Sequence, residues 1–189
     1  MKTLVLVPMK QLSDAKSRLN NRISDELRRT LARKLLEQIL SRLRTIIKEV
    51  KYTHKLAVLT ECHEVASLVR KQNLSVIDSS IFGKLSESLF FGAKWAKSNG
   101  FRSLCIIPAD LADPTPDELR QLLLFPISHN NMAICPSNDM GTNALFVSPP
   151  DAFSFQYGEN SFTKHLAIAK KNEIKTTVLE LKSLAFDID

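Results

Sequence analysis

Short apolar runs alternate with amphipathic helical patterns along this 189-residue chain. The runs have the length and continuous apolar character of strands buried in a parallel sheet, whereas the helical patterns repeat apolar residues every three or four positions. Strands are predicted over residues 3–7, 56–59, 74–77, 103–108, 132–135, 144–147 and 176–181, and helices over 24–50, 61–71, 86–97, 116–125 and 161–171. This alternation predicts an α/β fold with a mostly parallel, doubly wound sheet flanked by helices.

The helix predicted from residue 116 has a strong start signal. Thr115 is a good cap, Pro116 suits the first helical position, and Glu118 stands where a carboxylate reaches back to the cap. The sequence therefore predicts a reciprocal capping box between Thr115 and Glu118.

Length and composition fit one domain. A hydrophobic content of 44% is ample for one packed core, and neither a repeat nor a linker rich in Gly, Ser or Pro interrupts the chain. We therefore expect a single domain over residues 1–189. The net charge of +6 favours an anionic partner, although charge alone does not say which one.

Nucleic acid is not the expected anion. Arginines such as Arg28, Arg29 and Arg33 lie on the first predicted helix, but Glu26 and Glu37 interrupt them. Aromatic residues make up 7% of the chain and are scattered through apolar runs, so no stacking platform is evident.

The three cysteines read as reduced structural thiols. Cys62, Cys105 and Cys135 form no closely spaced metal pair, and the last two lie within apolar runs. No apolar stretch approaches membrane-spanning length, and the N-terminal run is too short for a secretory signal. These features predict a cytoplasmic protein without a membrane partner. The sequence leaves a homodimer open.

A cationic loop without glycine follows the first strand. Residues 8–19 contain Lys10, Lys16 and Arg18 at the carboxyl end of that strand, where open α/β sheets bind ligands. Three clustered cations suit a polyphosphate. A solvated basic turn is the alternative for this stretch taken alone.

Carboxylates are expected at the same edge of the sheet. Asp110 follows the buried strand 103–108 after one residue, and facing a polyphosphate it would be a natural Mg²⁺ ligand. A turn-forming role is the alternative for Asp110 taken alone, and Asp113, three residues on, could instead be a loop acid. At the C-terminus, strand alternation would put Asp187 and Asp189 on one face, away from Phe186. A frayed acidic tail is the alternative.

Two loops of small residues could bind anions. Gly141 and Thr142 form a turn before a strand, with backbone N–H groups and a hydroxyl. Gly158 precedes a helix that begins at Ser161, where an anion would meet the helix N-terminus. Ordinary turn and cap chemistry is the alternative for both loops. His165, one turn further, could face the same anion or serve as a half-buried structural histidine.

Several segments together resemble one family, the guanylyltransferases of deazaflavin-coenzyme (coenzyme F-420) biosynthesis. They occur in family order over nearly the whole chain: Pro8-Met9-Lys10, Ala15-Lys16-Ser17-Arg18-Leu19, Ile107-Pro108-Ala109-Asp110-Leu111, Gly141-Thr142-Asn143-Ala144-Leu145, Tyr157-Gly158-Glu159-Asn160-Ser161-Phe162, Lys164-His165-Leu166 and Phe186-Asp187-Ile188-Asp189. No single segment is specific, but their joint occurrence is.

The resemblance implies a nucleotidyltransferase-like α/β fold of the Rossmann-like GT-A type. It implies transfer of GMP from GTP to a small phosphorylated carboxylic acid such as 2-phospho-L-lactate, phosphoenolpyruvate or 3-phosphoglycerate, with release of pyrophosphate. The family's functional positions correspond to Asp110, Asp187 and Asp189 for Mg²⁺ and to Thr142, Gly158 and Ser161 for the phosphoacid. Lys10, Lys16 and Arg18 would hold the departing phosphates.

One segment departs from the family pattern. Lys84-Leu85-Ser86 stands where the family often has Gly-Leu-Asn, so an expected nucleotide contact is altered and the preference for guanine is less secure. Sugar and molybdopterin nucleotidyltransferases are rival enzymes, but they carry a glycine-rich loop after the first strand, and residues 8–19 contain no glycine. The rival from another class is a basic binding protein, either a catalytically inactive, anion-binding relative or a nucleic-acid binder.

Overall fold

The structure is a computed structural model that describes residues 2–12, 23–50 and 53–188. Three of the predicted site residues, Lys16, Arg18 and Asp189, lie outside these ranges. No helix in the described ranges has both the length and the apolar character needed to cross a membrane.

Seven strands and five helices occur within the described residues. The strands are β1 Lys2–Pro8, β2 Thr53–Thr60, β3 Ser75–Asp78, β4 Ser103–Ile106, β5 Asn131–Pro136, β6 Thr142–Ser148 and β7 Lys175–Val178. The helices are α1 Asp25–Glu49, α2 His63–Lys71, α3 Leu85–Ser98, α4 Pro116–Leu123 and α5 Ser161–Lys171, and a 3-10 turn covers Lys182–Leu184. Every predicted element is present, with ends that differ by a few residues.

All seven strands form one sheet in the order β3-β2-β1-β4-β6-β5-β7. The pairs β3/β2, β2/β1, β1/β4 and β5/β7 are parallel, whereas β6 is antiparallel to both of its neighbours. The predicted mostly parallel sheet is therefore confirmed. Because β6 runs in the opposite direction, its first residues lie at the edge where β1, β4 and β5 end.

Helices cover both faces of the sheet, as expected for a doubly wound fold. Helices α1, α2 and α4 pack on one face, with Leu36, Leu43 and Phe146 among the fully buried side chains. Helices α3 and α5 pack on the other, where Leu89 and Leu104 are fully buried. Burying large apolar side chains contributes roughly 1.5–3 kcal/mol each, so these two layers hold the strands in register.

The cysteines are all free thiols, consistent with a structural role. Cys105 and Cys135 are completely buried in the sheet, and burial raises the pKa of Cys135 to about 12. Such thiols stay protonated and unreactive at neutral pH.

The start of α4 differs from the predicted capping box. Thr115 does cap the helix, accepting the Glu118 N–H at 3.4 Å. The Glu118 carboxylate, however, accepts the backbone N–H of Ser183 at 2.7 Å and is also bonded to the Ser183 hydroxyl. Ser183 in turn accepts the Thr115 N–H at 2.8 Å. A serine distant in sequence has taken the place of the local partner, and this ties the C-terminal segment to α4.

We predict that Glu118→Ala will loosen the C-terminal segment. The variant removes the acceptor for both polar groups of Ser183, which should lower the free energy of unfolding by about 1–3 kcal/mol. Amide hydrogen exchange at residues 182–188 should accelerate. Asp117→Ala is the matched control, because Asp117 is exposed and pairs with Arg120 on the same helix. Equal exchange rates in the two variants would contradict the proposed anchor.

Candidate active site

A cavity of about 260 Å³ opens at the sheet edge where the parallel strands end. Loops that follow β1, β2, β3 and β4 line it, together with the start of α3 and two apolar residues of α1. The lining residues are Pro8, Met9, Lys10, Ala32, Leu35, Leu59, Glu61, Ser79, Phe82, Gly83, Lys84, Leu85, Ser88, Pro108, Ala109 and Asp110. This is the position at which open α/β sheets bind ligands.

Two of the predicted site residues, Lys10 and Asp110, meet at this cavity. Lys10 is exposed in the loop after β1, and the neighbouring Met9 N–H donates to the Leu59 carbonyl at 2.9 Å, which holds that loop against the end of β2. Asp110 approaches from the adjacent strand β4. The structure thus brings a cation and a carboxylate to one opening, as the sequence predicted.

The C-terminal segment pairs with the loop that carries Asp110. Leu111 and Asp187 form an antiparallel bridge, the Ile188 N–H donates to the Asp110 carbonyl, and the Ala112 N–H donates to the Phe186 carbonyl, both at 3.0 Å. The segment 186–188 is therefore backbone-bonded and not a frayed tail. The pairing places Asp110 and Asp187 on neighbouring stretches of chain, as the metal prediction requires.

The two loops of small residues also come together. The Ser161 hydroxyl donates to the Thr142 hydroxyl oxygen at 3.3 Å, and the Ser161 N–H donates to the Gly158 carbonyl at 3.1 Å. Gly158 has a φ of +116°, a conformation that side chains rarely adopt. Both hydroxyls are buried, and Asn160 occupies the N-cap position of α5, with Ser161 as the first helical residue. The structure therefore groups all three predicted phosphoacid residues.

A buried histidine, His165, orients the Thr142 hydroxyl. His165 is completely buried, with Phe153 and Tyr157 packed edge-on against its ring. Its Nε2 accepts the Gln156 N–H at 2.9 Å, so the neutral ring carries its proton on Nδ1 and donates it to the Thr142 hydroxyl at 2.9 Å. Burial lowers the pKa of His165 to about 4, and the ring is neutral at physiological pH. His165 is a structural histidine, more deeply buried than predicted.

The expected anion cradle at Gly141 is partly occupied. The Gly141 N–H donates to the Asp139 carboxylate at 3.2 Å, and the Gly141 carbonyl accepts the Ser137 N–H. The turn thus satisfies its own backbone groups. Its contribution to an anion site reduces to the Thr142 hydroxyl.

Asn143 connects the two parts of the site. Its side-chain amide donates to the Leu184 carbonyl at 2.8 Å and makes a longer contact of 3.4 Å with the Asp187 carboxylate. On the other side, the Tyr157 N–H donates to the Ser86 hydroxyl at 3.0 Å, at the start of α3 beside the cavity. The residues next to Thr142 and Gly158 therefore contact the C-terminal segment and the start of α3.

Sequence reasoning missed Glu61 and the side-chain role of Asn143. Glu61 follows β2 just as Asp110 follows β4, so the rule that identified one acid also applies to the other. Glu61 is also the first residue of the predicted helix 61–71, and this helical pattern hides its position after a strand. Asn143 has no local signal, since its partners lie in the distant C-terminal segment.

This arrangement of sheet and site defines a nucleotidyltransferase-like protein. The described fold superposes on a solved nucleotidyl transferase of Methanothermobacter thermautotrophicus with a TM-score of 0.63 and 14% identity, covering 97% of this chain and 90% of that one. Residues 3–189 match the family model described as guanylyl transferase CofC like. The chain belongs to that family.

Relatives in this family carry three different substrate names. A 3-phospho-D-glycerate guanylyltransferase of Colwellia psychrerythraea is 32% identical, covering the whole of this chain and 88% of the relative. A phosphoenolpyruvate guanylyltransferase of Sphaerobacter thermophilus is 34% identical, with coverage of 100% and 89%. A 2-phospho-L-lactate guanylyltransferase of Methanocorpusculum labreanum is 28% identical, with coverage of 97% and 77%. The shared activity of these enzymes is guanylyl transfer.

We predict that His165 makes folding stability depend on pH. The unfolded chain binds a proton near pH 6.5, whereas the folded ring resists protonation until about pH 4. The stabilisation is therefore fully present above pH 6.5 and is lost as the pH falls towards 4. Between pH 7 and 5 the loss is about 2 kcal/mol.

Chemical denaturation of His165→Asn at both pH values tests this prediction. The amide does not titrate, so the variant should lose less stability than the parent protein on acidification. His129→Asn is the matched control, because His129 is exposed. His54, whose pKa burial also lowers, is present in every protein compared and contributes equally. The same pH slope in His165→Asn as in the parent would contradict the prediction.

Proposed function

We propose that this protein transfers GMP from GTP to the phosphate of a small phosphorylated carboxylic acid and releases pyrophosphate. The observation that carries the proposal is the cavity at the sheet edge, where Lys10 and Asp110 lie beside the backbone-bonded C-terminal acid Asp187. Family membership over residues 3–189 and the names of the relatives support the same reaction.

This reaction requires the protein to position the two substrates and to neutralise the charge on their phosphates. A phosphate monoester dianion is already a nucleophile, so no general base is needed. One of its oxygens attacks the α-phosphorus of GTP, and the bond to the β-phosphate breaks as pyrophosphate leaves with the electron pair. Lys10, with Lys16 and Arg18 of the basic sequence segment 8–19, would hold the departing phosphates.

Magnesium is the proposed cofactor, held by Asp110, Asp187 and Asp189. Among the described residues there is no cluster of three metal-ligating side chains, and Asp189 lies outside them. Asp110 and Asp187, on backbone-paired stretches of chain, still fit Mg²⁺, which takes one or two carboxylates and completes its shell with water and phosphate oxygens. A bound ion would neutralise the charge on the reacting phosphates.

The acceptor is proposed to bind at Thr142, Gly158 and Ser161. The His165 proton already occupies one side of the Thr142 hydroxyl oxygen, and Ser161 occupies another. The Thr142 proton must therefore point away from both, which leaves it to donate to an acceptor anion. Such donors suit the phosphate or carboxylate of a phosphoacid.

The proposed setting follows from the same chemistry. A guanylylated phosphoacid of this kind fits deazaflavin-coenzyme biosynthesis, and the proposed partners are GTP and the acid alone. The free cysteines favour a reducing compartment, so we place the reaction in the cytoplasm.

Mass spectrometry after incubation with GTP, Mg²⁺ and one phosphoacid at a time tests the function. We expect the GMP adduct of at least one acid among 3-phosphoglycerate, phosphoenolpyruvate and 2-phospho-L-lactate, together with pyrophosphate. ATP and CTP run in parallel to test the base. The absence of every adduct, with the protein folded, would favour an inactive anion-binding relative.

We predict that Asp110→Asn will lower kcat at least about a hundredfold without unfolding the protein, because the amide is a poor ligand for a cation that must neutralise phosphate charge. Asp113→Asn is the matched control: Asp113 is an exposed acid close in sequence that pairs with Arg42 at 2.6 Å. Steady-state rates and thermal unfolding are the measurements. Near-normal turnover of Asp110→Asn would refute its assignment as a metal ligand.

A further inference from the structure

The cavity has two chemically different ends. Lys10 and Asp110 follow β1 and β4, whereas Glu61 follows β2 and Ser79, Phe82 and Lys84 follow β3. Neighbouring strands are about 4.8 Å apart, so Glu61 lies roughly one strand spacing from Lys10 and two from Asp110. A nucleotide whose phosphates lie between Lys10 and Asp110 would therefore extend its base towards Glu61.

Glu61 is held firmly at the end of β2. The preceding residue, Thr60, is buried; its hydroxyl accepts the Cys62 N–H at 3.1 Å, and its carbonyl accepts the Ser79 N–H at 3.1 Å. These bonds fix the backbone on both sides of Glu61. Within residues 2–12, 23–50 and 53–188, no hydrogen bond or ion pair engages the Glu61 carboxylate, although it is partly buried in the cavity wall.

A carboxylate at this position disfavours the binding of phosphate and suits the binding of a nucleobase. Negative charge beside the phosphates would oppose binding, so Glu61 suits a part of the nucleotide that offers hydrogen-bond donors, which are found on the base and the ribose. Phe82 provides an aromatic surface at the same end, packed against Phe91 with ring centroids 5.1 Å apart. An aromatic face beside an acceptor is the usual setting for a nucleobase.

Among the common bases, guanine matches this acceptor. Its Watson–Crick edge places the N1–H and the 2-amino group side by side, so one carboxylate can accept both hydrogen bonds. Adenine and cytosine have a ring nitrogen lone pair beside the amino group, and a carboxylate repels that lone pair. Uracil has one donor between two carbonyl oxygens.

The geometry points to Glu61 as the residue that selects guanine, through bonds from N1–H and the 2-amino group to its carboxylate. The inference rests on the proposed function, since it takes the nucleotide to occupy this cavity. It supplies a source of base selectivity separate from Lys84-Leu85-Ser86, whose first residue also lines the cavity.

The test compares GTP with ITP, which keeps N1–H and lacks the 2-amino group. In the parent protein we expect kcat/KM for GTP to exceed that for ITP. Glu61→Gln should lower the GTP value about ten- to a hundredfold, because its amide N–H₂ would oppose the 2-amino group of guanine. ITP should lose less, so the GTP-to-ITP ratio should fall towards one.

Two further variants complete the comparison. Glu64→Gln is the matched control, since Glu64 lies on α2 outside the cavity and pairs with Arg29 at 2.7 Å. Glu61→Asp keeps a carboxylate on a shorter side chain and should keep the order GTP over ITP with weaker GTP binding. An unchanged ratio in Glu61→Gln would overturn the assignment, as would a parent protein that does not discriminate between GTP and ITP.

Calorimetric binding of GTP and ITP with Mg²⁺ separates this inference from the proposed reaction. If the parent protein prefers GTP through Glu61 but guanylylates no phosphoacid, base selection holds and the transfer proposal fails. If GMP is transferred but Glu61→Gln keeps the parent ratio, the transfer proposal holds and Glu61 is not the selecting residue.

Discussion

The catalytic edge of this protein depends on the pairing of its C-terminal segment with the loop after β4. Backbone bonds from Ile188 to Asp110 and from Ala112 to Phe186 bring together acids from distant parts of the chain. Glu118 binds Ser183 just before this segment, and the fully buried Leu184 anchors it in the core. Each hydrogen bond contributes little net stability, so most of the stabilisation of this segment comes from the burial of Leu184. The backbone bonds set which residues of the two stretches face each other.

Local patterns were enough to predict the elements but not their order in the sheet. The apolar runs of β1 and β4 identify buried strands because their residues are all inaccessible to water. The antiparallel position of β6 between β4 and β5 is a choice among long-range pairings, for which neighbouring residues carry no signal. The doubly wound class was predictable because it follows from the local alternation of strands and helices. The strand order was not predictable because it depends on long-range pairing.

In the candidate site, too, some residues could be predicted from local sequence, whereas their long-range contacts could not. Asp110 could be predicted as a site residue because it follows a buried strand, where the fold class puts ligands. Asp187 was predicted from strand alternation, Thr142 from a Gly-Thr turn, and both from the family resemblance. The partners of these residues could not be predicted. His165 looks like an ordinary polar residue one turn into a helix, and its burial depends on Phe153 and Tyr157 from a loop without regular structure. The Glu118 carboxylate likewise bonds a distant serine in place of its local cap.

The reversed direction of β6 has a consequence for how this fold can change. The proposed nucleotide cavity is built from loops that leave parallel strands, whereas Thr142 and Ser161 are the first residues of a strand and a helix. Substitutions around Thr142 and Ser161 can reshape the proposed acceptor pocket without displacing the β1, β2 or β4 loops. The same fold can therefore retain its nucleotide while the acid that it accepts changes. The relatives show this pattern, because their names give three different phosphoacids but all describe guanylyl transfer.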